Sequence, residues 1–169
     1  MLTNNDILKI AVQQSAYDMS CKPQDFLSDE NVVTISQKHP LARKYLPLPM
    51  KCDLVSYGSN IVAQASPEIA PLVRKYIDRY PVEHCFETPN LHVLDELVRP
   101  FGQKICFMAE YFLPDVDALR ELPCDYELRV LHQEDFQELY QPQWSNALCE
   151  KRKHLDVLGV GAYDGDRLI

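Results

Sequence analysis

Apolar positions along this chain recur at spacings near 3.6 and near 2, and the changes from one to the other predict its elements. Thr3 and Asp6 stand three residues apart, as in a capping box, and Ile7, Ile10, Ala11, Gln14 and Tyr17 then fall on one side of a helix. That face is expected to pack. Ser20 and Pro23 restart a shorter helical turn ending near Leu27, and Asn31 to Ser36, rich in β-branched residues, predicts a strand. His39 to Pro49 holds three prolines and is expected to wrap the surface.

Cys52 to Tyr57 and Asn60 to Ala65 predict two short strands joined by Gly58-Ser59, with glycine at the first loop position as a type II′ hairpin needs. Ser66 is expected to cap a helix with Pro67 at its first position, Ile69, Leu72, Val73, Tyr76 and Ile77 as its buried stripe, and Pro81 at its close. Val82 to Glu87 predicts a short strand. Thr88-Pro89 opens another helix, with Leu91, Leu94, Val98 and Phe101 inside and Pro100 to Gly102 at its end. Gln103 to Leu113, apolar through its middle, predicts a long strand central in a sheet. Pro114 to Pro123, with Asp115, Asp117 and Glu121, reads as a solvated link between an N-terminal α/β domain at 1–122 and a second unit at 123–169. In the second unit Tyr126 to Leu131 predicts a strand and His132 to Tyr140 an amphipathic helix. A second short helix runs through Trp144 and Cys149, and Leu155 to Ile169 forms a strand and turn. The expected class is α+β, a mixed and largely antiparallel sheet packed with helices.

Composition narrows the partners. The 169 residues, 46% hydrophobic, suffice for one domain or for one and part of another. With 17 basic against 25 acidic residues the net charge is −8 and the pI near 5.0, so a nucleic-acid partner would be held against repulsion and is not expected. No apolar run reaches membrane-spanning length, because Glu110 cuts Ile105 to Ala109. The start, Met1-Leu-Thr-Asn-Asn-Asp, lacks a basic region followed by an apolar one. A cytoplasmic protein without a membrane partner is expected. Six cysteines, at 21, 52, 85, 106, 124 and 149, form no Cys-x-x-Cys pair, which suits buried reduced thiols better than a disulfide frame or a zinc site.

Two groups of residues invite a chemical reading and decline it on spacing. Gly159-Val-Gly161-Ala-Tyr-Asp-Gly165 lies inside an apolar strand and ends in an Asp-Gly turn signal, whereas a phosphate cradle needs glycines that open a helix. Alternating glycines in a strand more often allow close approach of another element. His84, Cys85, Glu87 and His92 bring imidazole, thiol and carboxylate into one short stretch. On a strand His84 and Cys85 would point to opposite faces, with His92 on another element, so a structural role is expected.

The order strand, helix, helix, strand from Tyr126 onward resembles the opening of GNAT-type N-acetyltransferases. Leu-Pro-Cys-Asp-Tyr-Glu-Leu at 122–128, Gln-Trp-Ser-Asn-Ala-Leu at 143–148 and His-Leu-Asp-Val-Leu-Gly-Val-Gly-Ala-Tyr-Asp at 154–164 are similar to bacterial members whose acetyltransferase unit follows a separate N-terminal region. The resemblance implies transfer of an acetyl group from acetyl-CoA to a small-molecule or peptide amine, the acceptor attacking the thioester directly. In that family a Gln/Arg-x-x-Gly-x-Gly/Ala turn opening a helix holds the cofactor pyrophosphate, and no such turn occurs here. The expectation is therefore the N-terminal portion of such an enzyme, inactive alone, with no cofactor-binding residue and no metal site.

The resemblance also places Gln143, Trp144 and Asn146 on the wall of the acceptor cleft, offering a flat apolar surface and amides. The plainer reading makes Trp144 a packing anchor and Asn146 a turn cap. A second functional reading takes residues 1 to about 122 as an independent ligand-binding or assembly and regulatory module. The apolar C-terminal strand is expected to lack sheet neighbours and to form a homodimer through that segment.

Overall fold

The structure is a computed structural model and describes residues 2–169. The chain divides into two compact units, Met1–Leu119 and Arg120–Ile169. Their elements make an α+β protein with one small mixed sheet and one small antiparallel sheet.

In the first unit the capping box forms: Thr3 N–H donates to Asp6 Oδ2 at 3.0 Å and Asp6 N–H to Thr3 Oγ1 at 3.2 Å. Helix α1 follows over Asn4–Asp18. Its packed face differs from the predicted one. Leu8, Val12, Ala16 and Met19 turn inward with Phe26 and Val62, while Ile10 is exposed. This stripe lies about 100° around the helix from Ile7, Ile10, Ala11, Gln14 and Tyr17. The rotation carries Asp18 inward, where Arg43 donates to its carboxylate and Gln64 to its carbonyl. A 3-10 turn at Pro23–Leu27 and strand β1 at Val32–Ile35 stand where the sequence puts them.

Strands β2 (Cys52–Val55) and β3 (Val62–Ala65) pair antiparallel, and β1 adds parallel to β3, giving the order β1-β3-β2. Strand β3 is buried along its whole length. Val62 meets the α1 layer, whereas Ile61, Ala63 and Ala65 meet helices α2 (Ala70–Ile77) and α3 (Thr88–Val98) on the other face. The sheet is thus the middle of three layers, and each fully buried Val or Ile in it is worth roughly 1.5–3 kcal/mol.

Several local expectations are corrected. The β2–β3 connection is wider than a two-residue turn, since Val55 pairs with Val62 and residues 56–61 bridge them. Ser56 Oγ accepts from Gly58 N–H at 3.0 Å and donates to Asn60 O at 2.6 Å. The Asn60 amide in turn reaches the carbonyls of Asp25 and Glu30, so tertiary hydrogen bonds set the loop length. Helix α2 begins at Ala70; Ser66 takes part through its carbonyl, which accepts from Ile69 and Ala70. Helix α3 includes Thr88 and is preceded by Glu87, and Phe101 is exposed beyond its end, where Gly102 adopts φ +69°. Val82–His84 is a 3-10 turn rather than a strand, closed by His84 N–H onto Pro81 O.

The largest correction concerns Gln103 to Leu113. It forms no strand, and Phe107, Tyr111 and Phe112 are 75%, 71% and 86% exposed. Ile105 packs against the α2–α3 layer, with its N–H on Asp95 Oδ1, and the Tyr111 ring lies 5.9 Å from the Arg43 guanidinium. An apolar, β-prone sequence states that a segment would suit a sheet, but strand formation also requires a partner edge.

In the second unit strands β4 (Glu127–His132), β5 (Leu158–Asp164) and β6 (Arg167–Leu168) form an antiparallel sheet in that order, so the apolar strand β5, expected to lack sheet neighbours, is paired on both edges. The predicted helices between β4 and β5 are 3-10 turns at Gln133–Leu139, Pro142–Trp144 and Glu150–Leu155. Within Gln133–Leu139 only Phe136 is buried, so no apolar stripe sustains a longer α-helix. Phe136 covers one sheet face, its ring 3.3 Å from where a Cβ on Gly159 would stand. At Gly161 a Cβ would meet Leu168 Cδ1 at 2.8 Å and Leu131 Cδ1 at 3.0 Å. The opposite face, with Leu128, Val130, Leu158 and Val160, is exposed. Asp164 pairs with Arg167, leaving Gly165-Asp166 as a two-residue loop with Gly165 at φ +61°, the glycine position of a type II′ turn. No helix among the described residues is long and apolar enough to cross a membrane.

Gly161→Ala should destabilise the chain by about 1–3 kcal/mol through overpacking, with a smaller loss for Gly159→Ala. Denaturant unfolding followed by the emission of Trp144 measures both; equal stability of Gly161→Ala and wild type would refute the close-packing role of this glycine.

Candidate functional site

The predicted acceptor wall lies on the 3-10 turn Pro142–Trp144 and the residues after it. Trp144 is half-buried, its backbone N–H donates to Gln141 O at 3.0 Å, and its carbonyl accepts from the backbone N–H groups of Ala147 and Leu148. Gln143 is exposed and its amide donates to Gln141 Oε1 at 2.8 Å; Asn146 is exposed. Asp156 steadies this segment, its Oδ2 accepting from Tyr140 Oη at 3.1 Å and from Cys149 N–H at 3.3 Å. The three residues therefore share one turn, with Gln143 and Asn146 exposed and Trp144 half-buried.

The glycine pair is no anion cradle. The space beside Gly159 and Gly161 is filled by Phe136, Leu131 and Leu168, and the backbone there is committed to a strand. Gly159 and Gly161 therefore offer no cradle for a pyrophosphate.

His84, Cys85, Glu87 and His92 do not converge. His84 Nδ1 meets Glu87 Oε1 at 2.8 Å on the surface, and this carboxylate raises the imidazole pKa. Cys85 is fully buried, its Sγ directed at the carbonyls of Ile77 and Tyr80, and burial raises its pKa. Burial likewise pushes the Cys21 and Cys52 thiols up to about 12, with Asp25 and Asp53 adding to it. These three thiols stay protonated and are poor nucleophiles. Among the described residues no group of three or more His, Cys, Asp or Glu is placed to hold a metal ion.

The structure also assembles a polar cluster that sequence spacing did not reveal. Asp18, buried at the end of α1, accepts from Arg43 N–H at 2.8 Å and pairs with its guanidinium; Gln14 donates to the same carboxylate. Arg43 continues to Tyr45 Oη at 2.7 Å. On the central strand the buried Gln64 donates to Asp18 O at 3.0 Å and accepts from Ser36 Oγ at 2.8 Å. Asp53 stands opposite Gln64 on β2. Burial raises its pKa and the Asp18 charge adds to that, while Gln64 and Arg43 oppose the shift. Positions 18, 36, 43, 53 and 64 share no spacing rule, and only Asp18, a charge closing an apolar helix pattern, was a hint. Beside this cluster, Tyr17, Ser20, Cys21, Gln37, Lys38 and His39 line an open groove of about 310 Å³.

Comparison with protein-family models, with curated proteins and with solved structures finds no match for this chain.

Asp53 supplies a signed pH dependence. Its folded-state pKa lies above the unfolded value of about 4, so the native chain binds more protons between the two values and stability falls as pH rises through that window. Asp53→Asn should therefore raise Tm at pH 7, and the gain should close below about pH 4. A gain of equal size at both pH values, read by thermal unfolding, would contradict this account.

Proposed function

We propose that residues 126–169 form the opening of a GNAT-type fold and that the chain serves an N-acetyltransferase acting on a small-molecule or peptide amine. The observation that carries this reading is the antiparallel β4-β5-β6 sheet, with all the helical turns inserted between its first two strands. Two further features support it. The turn bearing Gln143, Trp144 and Asn146 follows the first strand of the unit, and an indole with two amides would suit an amine-bearing substrate. The sheet keeps Leu128, Val130, Leu158 and Val160 exposed, as a layer does that packs against further structure.

In this reading the acetyl-CoA grip lies outside residues 126–169, and these residues contribute acceptor positioning alone. Trp144 is the only tryptophan, so its emission reports on the wall directly. Titration with spermidine and with a lysine-containing peptide should shift that emission saturably, and unchanged emission with both would remove Gln143, Trp144 and Asn146 from the acceptor site. Calorimetric titration with acetyl-CoA should give no binding heat, whereas micromolar binding would overturn the placement of the cofactor site.

Association follows from the same sheet. The exposed apolar face is identical in every copy, so two copies can bury it symmetrically, and the free β4 edge beside it favours the same encounter. Small-angle scattering across a concentration series should show dimers that Val160→Lys abolishes; a monomeric profile at the highest concentration would count against a homodimer through this segment.

A further inference from the structure

The groove beside the end of α1 has three features of a small-ligand site, none of which depends on the acetyltransferase reading. The first is an aromatic wall: the rings of Tyr17 and His39 stack with centroids 4.8 Å apart and planes 13° from parallel. The second is a cation without a partner, since Lys38 makes no ion pair among the described residues. The neighbouring Asp18 is neutralised by Arg43 and does not claim it. The third is a held shape. Ser20 adopts φ +54°, a left-handed conformation costly for a residue with a Cβ. Its hydroxyl accepts from Gln37 N–H at 3.2 Å and donates to Gln37 O at 3.4 Å, fastening the segment of Lys38 and His39 to the helix end.

Orientation follows from the hydrogen bonds. His39 Nδ1 accepts from Leu41 N–H at 3.1 Å, so Nε2 carries the proton of the neutral ring and can donate. Asp25 places negative charge near Cys21, so an anion is favoured at the Lys38 end of the groove and disfavoured at the other. A volume of about 310 Å³ admits a single ring with its substituents.

We propose that this groove binds a small organic anion bearing a flat ring, of the aromatic-carboxylate class. Lys38 and His39 Nε2 hold the carboxylate, and the Tyr17–His39 pair packs the ring. Amide-resolved NMR titration of the whole chain tests this with three probes: 4-hydroxybenzoate, which has ring and charge, benzamide, which lacks the charge, and acetate, which lacks the ring. Saturable shifts centred on Tyr17, Ser20, Cys21 and Gln37 to His39 are expected with 4-hydroxybenzoate, at an affinity about ten-fold above either control. Lys38→Met, an exposed substitution, should weaken 4-hydroxybenzoate about ten-fold and leave the remaining spectrum intact. His39→Leu provides a second variant with the same expected direction. No saturable shift, equal affinity for benzamide or acetate, or undiminished binding by a folded Lys38→Met would each overturn the proposal.

Discussion

The first unit depends on one constraint: its central strand is buried on both faces and still carries a polar side chain. Strand β3 lies between β1 and β2 and between two helical layers, so Val62, Ala63 and Ala65 exclude water from either side. Gln64 in the same strand would be costly there unless its amide were fully engaged. It reaches Asp18 O and Ser36 Oγ, which lie at the end of α1 and just after β1. A single amide thereby fixes the rotation of α1, the exit of β1 and the approach of Arg43. The apolar contacts hold the layers together, and the amide selects one arrangement of them.

The second unit is built on the opposite economy of material. Its sheet has one covered face, where Phe136 lies over Gly159 and the side chains of Leu131, Tyr163 and Leu168 close over Gly161. Larger residues at 159 and 161 would lift Phe136 and crowd Leu131 against Leu168. This explains why a glycine pattern that superficially suggests phosphate binding has no such use. The other face is apolar and exposed, so the sheet has more surface suited to burial than its own residues cover.

Chemical potential in this chain follows from burial. The thiol at 85 is buried and those at 21 and 52 are partly so, which raises the pKa of all three, and the imidazole at 84 is tied to a surface carboxylate. The thiols at 106 and 124, by contrast, are exposed. A half-buried indole and two exposed amides lie on one turn, and a stacked Tyr–His pair and a lysine without an ion pair among the described residues lie along a groove.

Local information in the sequence determined the features that local physics controls. The Thr3–Asp6 cap, the turn at Pro23, strands β1, β4 and β5, and helix α3 to within a residue follow from side chains acting on their own backbone. The readings of Gly159 and Gly161 as strand glycines and of Cys85 as a buried thiol also needed only neighbouring residues. Tertiary structure decided the rest. The face of α1 turned by one position because Arg43 and Gln64, distant in sequence, claim the Asp18 side. The β2–β3 loop widened because Asn60 bonds to Asp25 and Glu30. Gln103 to Leu113 formed no strand because apolar content specifies that a segment can be buried without supplying the edge that buries it. The Tyr17–His39 groove and the Asp18 cluster exist only where separate elements meet. Periodicity records how a residue relates to its own helix or strand, whereas a site is a relation between elements that only the packed chain establishes.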